Sequence, residues 1–309
     1  MAKQTGAEHG MSYVAESTYG TTPGPSPAPD MTTLRHTDTN LGLTKGELIQ
    51  ATAREDGQIE ESVHGNHRTP GNVDFELFYG SHDDFLAAVL RGSWATNTLK
   101  AGTAHSYFSI ERRLTSISKY ALFTGCVVDS MQIQMNQSAD GLFVTGSCGI
   151  LGRTMTVSGT SLGTPADPSG AADTPFKAFA GSITEGGSAI GILTGITLDI
   201  QNGGAMRPVV ASHLSDEPSR GRLNITGTIT AFFENTTLLE KFINETESAL
   251  VMNLADAAGN ALAINLPRIK YNAGDFPRQG DGDIILNLPF RALRNESDGS
   301  PIVITRTAA

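Results

Sequence analysis

The stretch NVDFELFYGSHDDFLAAVL, residues 72–90, decides the fold, because the chain carries its outline twice. The second copy is NITGTITAFFENTTLLEKFI, residues 224–243. Each begins with the period-2 alternation of a half-buried strand. In the first, Val73, Phe75, Leu77 and Tyr79 share one face while Asp74 and Glu76 share the other. In the second, Ile225, Gly227, Ile229 and Ala231 oppose Thr226, Thr228 and Thr230. A short polar turn follows in both, and the period then becomes helical. Phe85, Leu86, Val89 and Leu90 mark the apolar stripe of the first helix; Leu238, Leu239, Phe242 and Ile243 repeat its spacing. These eight residues are expected to pack both helices on the core. Ser81 with Asp84, and Thr237 with Glu240, supply helix starts of the capping-box kind. The shared order predicts an internal duplication, with an offset near half the chain.

A chain of 309 residues accommodates about two domains and can bury a core without disulfides or metals. Charged residues are 17% and the net charge is −10, which argues against a protein that binds nucleic acid by neutralising phosphates. The N-terminal MAKQTGAEHGMSYVAES has no apolar signal-peptide core, and no stretch approaches 18 apolar residues, so neither secretion nor a membrane anchor is expected. Cys126 and Cys148 fall in strand-like runs and read as buried, reduced side chains.

The remaining chain divides around the two copies. Residues 1–34 read as an N-terminal arm: TPGPSPAPD (22–30) cannot hold regular structure, and Tyr13 and Tyr19 are its candidate anchors. Residues 35–152 form the first unit, with strands predicted in LGLTKGELIQ, GQIEESVHG, SYFSIERRL, GCVVDSMQIQM and GLFVTGSCGIL, and turns at NHRTPG (66–71) and NQSADG (136–141). Residues 153–190, low in charge and rich in Ser, Thr, Gly and Pro, read as a linker. Residues 191–309 form the second unit: GITLDIQNGG, the second copy, the hairpin SALVMNL/ALAINLP, DGDIILNLPFRAL and IVIT. The predicted class is therefore mainly β: two tandem sandwich or half-barrel units, each with one flanking helix.

No constellation points to catalysis. His64 and His67 sit in a predicted turn without acidic or cysteine partners at metal spacing. The glycine-rich GSITEGGSAIGILTG (181–195) lacks the Lys and following helix of a phosphate loop. Asp74 and Glu76, joined by Glu60 from a neighbouring strand, read instead as the wet face of a one-sided sheet, with Thr226, Thr228 and Thr230 as the matching face of the second unit. Active sites do not trade carboxylates for threonines between copies; a wall does. No metal, cofactor or catalytic residue is assigned.

These segments resemble the tail-tube (major tail) proteins of long-tailed, siphovirus-type bacteriophages. The resemblance is carried by SYVAESTYGTTP, HGNHRTPGNVDFELFYGSHDDFLAAVL, ITLDIQNGG and RLNITGTITAFFENTTLLEKF, and covers most of the chain in order. It implies a non-enzymatic virion protein, made in the host bacterial cytoplasm, whose copies form rings stacked into a tube. It implies tape-measure, tail-tip and tail-terminator proteins as partners, and double-stranded DNA passing through the lumen without specific binding. A polyanion slides past acidic or hydroxyl walls, whereas Lys or Arg would hold it. Glu60, Asp74, Glu76, Thr226, Thr228 and Thr230 are then candidates to face the lumen. If rings hold six tube units, three two-unit chains complete one; rings of six chains are the alternative. The arm and residues 153–190 are candidates for contacts between rings. A secreted or surface β-sandwich adhesin or pilus module is the rival reading, and would bring a signal peptide and disulfide. A carbohydrate-active enzyme would need aromatic platforms, and Trp94 is the single tryptophan.

Overall fold

The structure is a computed structural model that describes residues 3–24, 28–52, 55–137, 142–190, 193–234, 236–277 and 282–309, without the side chain of residue 179. The central part of TPGPSPAPD, most of NQSADG, part of GSITEGGSAIGILTG and the first residue of DGDIILNLPFRAL lie outside the described residues. The chain is mainly β with two short α-helices.

Eleven strands carry the architecture: β1 (His9–Glu16), β2 (Ser62–Glu76), β3 (Tyr107–Leu114), β4 (Lys119–Asn136), β5 (Thr145–Gly152), β6 (Leu193–Gln201), β7 (Asn224–Phe232), β8 (Ser248–Ala255), β9 (Ala261–Tyr271), β10 (Ile285–Ala292) and β11 (Val303–Thr307). Helix α1 (Asp83–Val89) follows β2, and α2 (Thr237–Ile243) follows β7. In the first half, Asp38–Thr39, β2, β5 and the C-terminal part of β4 lie side by side. A second sheet runs β1, β3, the N-terminal part of β4, and Thr154–Ser158. β4 thus serves both sheets. It turns the corner at Gly125, whose φ of +63° lies beside the register shift between Phe108 and Ile110; glycine takes that conformation at no steric cost, and a bulge bends the strand.

The second half repeats this pairing order. β6, β7, β10 and the end of β9 form one sheet; Ser182–Glu185, β8, β9 and β11 form the other. β6 also pairs with β4, from Gly195 opposite Asn136 to Gln201 opposite Ser130. The first sheets of the two halves are therefore one continuous antiparallel sheet. One side of it is buried: Val73 and Phe75 on β2 with Leu77 just past its end, Met131, Ile133 and Met135 on β4, Ile196, Leu198 and Ile200 on β6, and Ile225 and Ile229 on β7 are all core residues. The period-2 pattern of the sequence is this burial.

Several local expectations shift. NHRTPG is not a turn but the middle of β2, where Pro70 faces Leu151 and Gly71 lies so close under Leu41 that a Cβ would overlap the Leu41 backbone. Proline and glycine mark close approach here, not chain reversal. GQIEESVHG is strand only from Ser62 onward. α1 begins two residues after Ser81, whose buried hydroxyl finds no partner among the described residues. At α2 the cap position is Thr236, whose hydroxyl donates to Glu240 at 2.6 Å. The N-terminal segment contributes β1, paired along its length with β3. Residues 153–190 contribute Thr154–Ser158 to the first half and Ser182–Glu185 to the second.

Phe85, Leu86, Val89 and Leu90 are all buried. Of their counterparts, Leu238 is buried, Leu239 and Phe242 are half-buried, and Ile243 is 65% exposed. The expectation that Ile243 packs on the core is corrected. Its helical spacing is right, but nothing among the described residues covers that side of α2.

Candidate functional site

The other side of the continuous sheet is wet. Following the register across the strands gives its composition row by row. Asp38 stands opposite Asp74, Asp74 opposite Ser147, Ser147 opposite Gln132, Gln132 opposite Asp199, Asp199 opposite Thr226, Thr226 opposite Arg291, and Arg291 opposite Lys270. The adjacent row runs Glu76, Thr145, Gln134, Thr197, Thr228 and Pro289. Thr230 lies opposite Asn287, to whose side chain it donates at 3.3 Å. Directly opposed residues share a face of the sheet, so these side chains form one surface spanning both halves.

This surface is held by its own hydrogen bonds. The Ser147 hydroxyl donates to Asp74, and Gln132 Nε2 donates to Asp199 Oδ1 at 2.6 Å. Such cross-strand bonds fix short polar side chains against the sheet instead of leaving them to reach into solvent. Charge is distributed unevenly: Asp38, Asp74 and Glu76 lie at the first-half end, while Lys270 and Arg291 lie at the second-half end. Between them the wall is hydroxyl and amide apart from Asp199.

Five of the six predicted face residues, Asp74, Glu76, Thr226, Thr228 and Thr230, are brought together on this surface. Glu60 is not. It is exposed and lies outside any strand, in the segment beyond the outer hairpin formed by Thr44–Ile49 and the start of β2. The period-2 pattern of 58–63 follows a turn at Glu55–Asp56, beside which Gly57 has φ +65° and the Gln58 N–H bonds Asp56, and its residues up to Glu61 belong to no strand. The true neighbours of Asp74 are Asp38 and Ser147. Asp38, Gln132, Gln134, Ser147, Asp199, Lys270 and Arg291 were missed as face residues. Alternation was visible in MQIQM and ITLDIQ, but which strands adjoin is not a property of periodicity.

The predicted anchors Tyr13 and Tyr19 dock on their own chain. Tyr13 is buried edge-on between Phe85 and Phe108, at 5.0 and 5.6 Å, and its hydroxyl donates to Asp84 at 2.9 Å. Burial, with the Asp84 charge, pushes its pKa up. Tyr19 packs on Tyr107 under the Arg153 guanidinium. His82, at the head of α1, is fully buried and stacked on Phe75 at 4.0 Å; burial pushes its pKa down to about 4, and the Arg35 charge adds to this. Cys126 and Cys148 are buried free thiols, raised in pKa by that burial. His64 and His67 lie along β2, and among the described residues no group of three or more His, Cys, Asp or Glu is placed to hold a metal. No helix among the described residues is long and apolar enough to cross a membrane.

The chain is thus a mainly β protein with one broad polar sheet face, whose polar residues bond to one another across the strands. The family model for phage tail tube proteins matches residues 6–292, and the chain belongs to that family. The family is structural, not enzymatic, and its members assemble into the tube of the virion tail. A comparison with curated proteins found no match.

Proposed function

We propose that the chain is the tube subunit of a siphovirus-type tail. It polymerises into stacked rings whose inner surface is the polar sheet face and through which double-stranded DNA leaves the capsid. The single observation that carries this reading is the unbroken polar surface from Asp38 to Lys270. Among the described residues its centre carries no cation, so DNA phosphates find nothing there to bind. The repeated pairing order supports duplicated tube units, the first around β2 and the second around β7, and three such chains supply six units to a ring.

Contacts between rings fall to a different segment than the arm, which is occupied by β3. The outer hairpin carries Leu48, Ile49 and Val63, each more than half exposed, with Ile59 in the segment beyond it. Exposed apolar clusters of this kind mark surfaces covered on assembly. Tape-measure, tail-tip and terminator proteins are then the partners at the tube's core and ends.

The test is the double substitution Asp74→Lys/Glu76→Lys. Both side chains are solvent-accessible, so tubes seen by electron microscopy should form with unchanged diameter. Virions built from the variant should eject DNA slowly or incompletely, with infectivity down at least about tenfold through the added phosphate contacts. Full infectivity with intact tubes would overturn the wall assignment. A purified wild-type protein that never forms rings or tubes would overturn the proposed function itself.

A further inference from the structure

We propose that Arg112, His9 and His36 form an acid-operated latch: with both imidazoles neutral it ties the strand that opens the polar sheet, Asp38–Thr39, to the second sheet, and proton uptake by either ring releases that strand. The proposal concerns the folded chain itself and goes beyond the tube reading.

The three side chains bring the two sheets together. His9 lies on β1 and Arg112 on β3, paired strands of the second sheet. His36 lies two residues before Asp38. Asp38–Thr39 pairs with β2 at two positions, Asp74 and Val73, with the Thr37 N–H on the Asp74 carbonyl and the Asn40 N–H on the Asn72 carbonyl. So short a strand depends on what holds its flanks. Arg112 Nη1 donates to the Leu41 carbonyl at 2.7 Å, just past the strand, and Arg112 Nε donates to His9 Nε2 at 3.0 Å. His9 Nδ1 meets His36 Nε2 at 2.8 Å, with the rings edge-on at 4.9 Å. His36 Nδ1 lies 3.2 Å from the Leu34 carbonyl.

The direction of this chain is forced. A guanidinium only donates, and a carbonyl only accepts. His9 Nε2 therefore accepts, and the His9 proton sits on Nδ1. That proton goes to His36 Nε2, so the His36 proton sits on its own Nδ1 and goes to Leu34. Every ring nitrogen is used once. The reverse order is closed, because Arg112 has no lone pair to offer. A further proton can enter only at Nε2 of His9 or of His36. Each of these already faces an N–H, so an acceptor becomes a donor against a donor and the chain parts. Among the described residues, the charged groups facing the pair are Arg112 and Asp38 in the hollow on one side, and Arg35, Glu76 and Arg113 in the hollow on the other. Three cations outnumber two carboxylates, which disfavours an imidazolium. Burial, with the Arg112 charge, pushes the His9 pKa down to about 4, and burial lowers that of His36 as well. The latch is therefore closed at neutral pH and is lost as pH falls from about 6.5 toward 4.

Two experiments decide it. The first is hydrogen exchange of the full chain, corrected for intrinsic rate and read by mass spectrometry, at about pH 7.5 and about pH 5. Peptides covering residues 34–41 should lose at least about tenfold in protection at the lower pH, because the open form takes up a proton that the latched form refuses. Peptides of β7 and β10 should not. The double variant His9→Gln/His36→Gln, whose amides can accept and donate along the same path without titrating, should keep residues 34–41 protected and lose their acid response. A wild-type loss no larger in 34–41 than in β7 and β10, or a double variant that keeps the full acid response, overturns the latch. The second reads the rings directly and needs no variant to pack well. Nitrogen spectra of isotope-labelled histidines in the wild type at about pH 7.5 should place the proton of both His9 and His36 on Nδ1. The Nε2–H form at either ring overturns the proposal. Neither readout requires tubes, so the latch and the tube reading stand or fall separately.

Discussion

The two halves share a pairing order and differ in how their helices are covered. α1 lies under β1: Phe85 packs between Tyr13 and Phe108, and the Trp94 indole donates to the Asp83 carbonyl at 3.0 Å. Among the described residues α2 has no such roof. It buries Leu238, and Lys241 reaches Glu185 at 2.5 Å, with the Tyr271 hydroxyl on the same carboxylate at 3.2 Å. The rims differ in the same way. Residues 168–178 fold over the end of β2, where Phe176 is fully buried beside Leu77 and Val144. In the second half Phe232 and Phe276 are each more than 40% exposed. A repeated sheet therefore does not dictate a repeated core. The cover comes from the segments outside the repeat, and the first half takes most of it.

The largest test of this contrast is a matched truncation. Phe85→Ala empties a fully enclosed site and should cost about 3–5 kcal/mol in urea unfolding of the unassembled chain. Phe242→Ala, in the last turn of α2 where the first half has Val89, removes a half-buried ring and should cost about 1–2 kcal/mol, since less area leaves the core. Equal losses would mean that α2 is roofed as α1 is, and the contrast would fall.

These two helices also mark what the sequence could convey. The helical spacing and the strand alternation of both copies are local, and both were legible; so was the mainly β class. The exposure of Ile243 was not, because a stripe says which side of a helix is apolar and not whether anything comes to meet it. Pro70 and Gly71 were misread as a turn because the same residues serve close approach between strands. Of the polar face, Asp74, Glu76 and the three threonines were found from their own strands. Asp38, Asp199, Gln132 and Lys270 needed the register between strands distant in sequence, which no local pattern encodes.

A smaller effect separates the halves by pH. His82 is buried under α1, whereas the residue at the head of α2 is Thr236. The folded pKa of His82 is held near 4, below its unfolded value of about 6.5. Between those values the unfolded chain binds the extra proton, so stability is full above about pH 6.5 and is lost as pH falls toward 4. The loss is on the order of 3 kcal/mol at its limit, approached only at the acid end of the window. Between pH 7 and pH 5.5 it amounts to about 1–2 kcal/mol. Melting temperature should fall across that range, and His82→Gln should flatten part of the slope. An unchanged slope in the variant would place the acid sensitivity elsewhere.

The smallest expected effect is the sharpest test of the uncovered helix. Ile243 occupies the position that Leu90 fills in the first half, and Leu90 is fully enclosed. Leu90→Ser should cost several kcal/mol, because a cavity and a buried hydroxyl are created together. Ile243→Ser, at a side chain already 65% in water, should change the unassembled chain by no more than about 0.5 kcal/mol. Urea midpoints of the two variants, measured below the concentration at which tubes form, give the comparison directly. A large loss at Ile243 would show that α2 is covered within a single chain after all. With no loss in the single chain, a reduced melting temperature in the assembled state alone would mean that the missing roof of the second half is supplied by another copy.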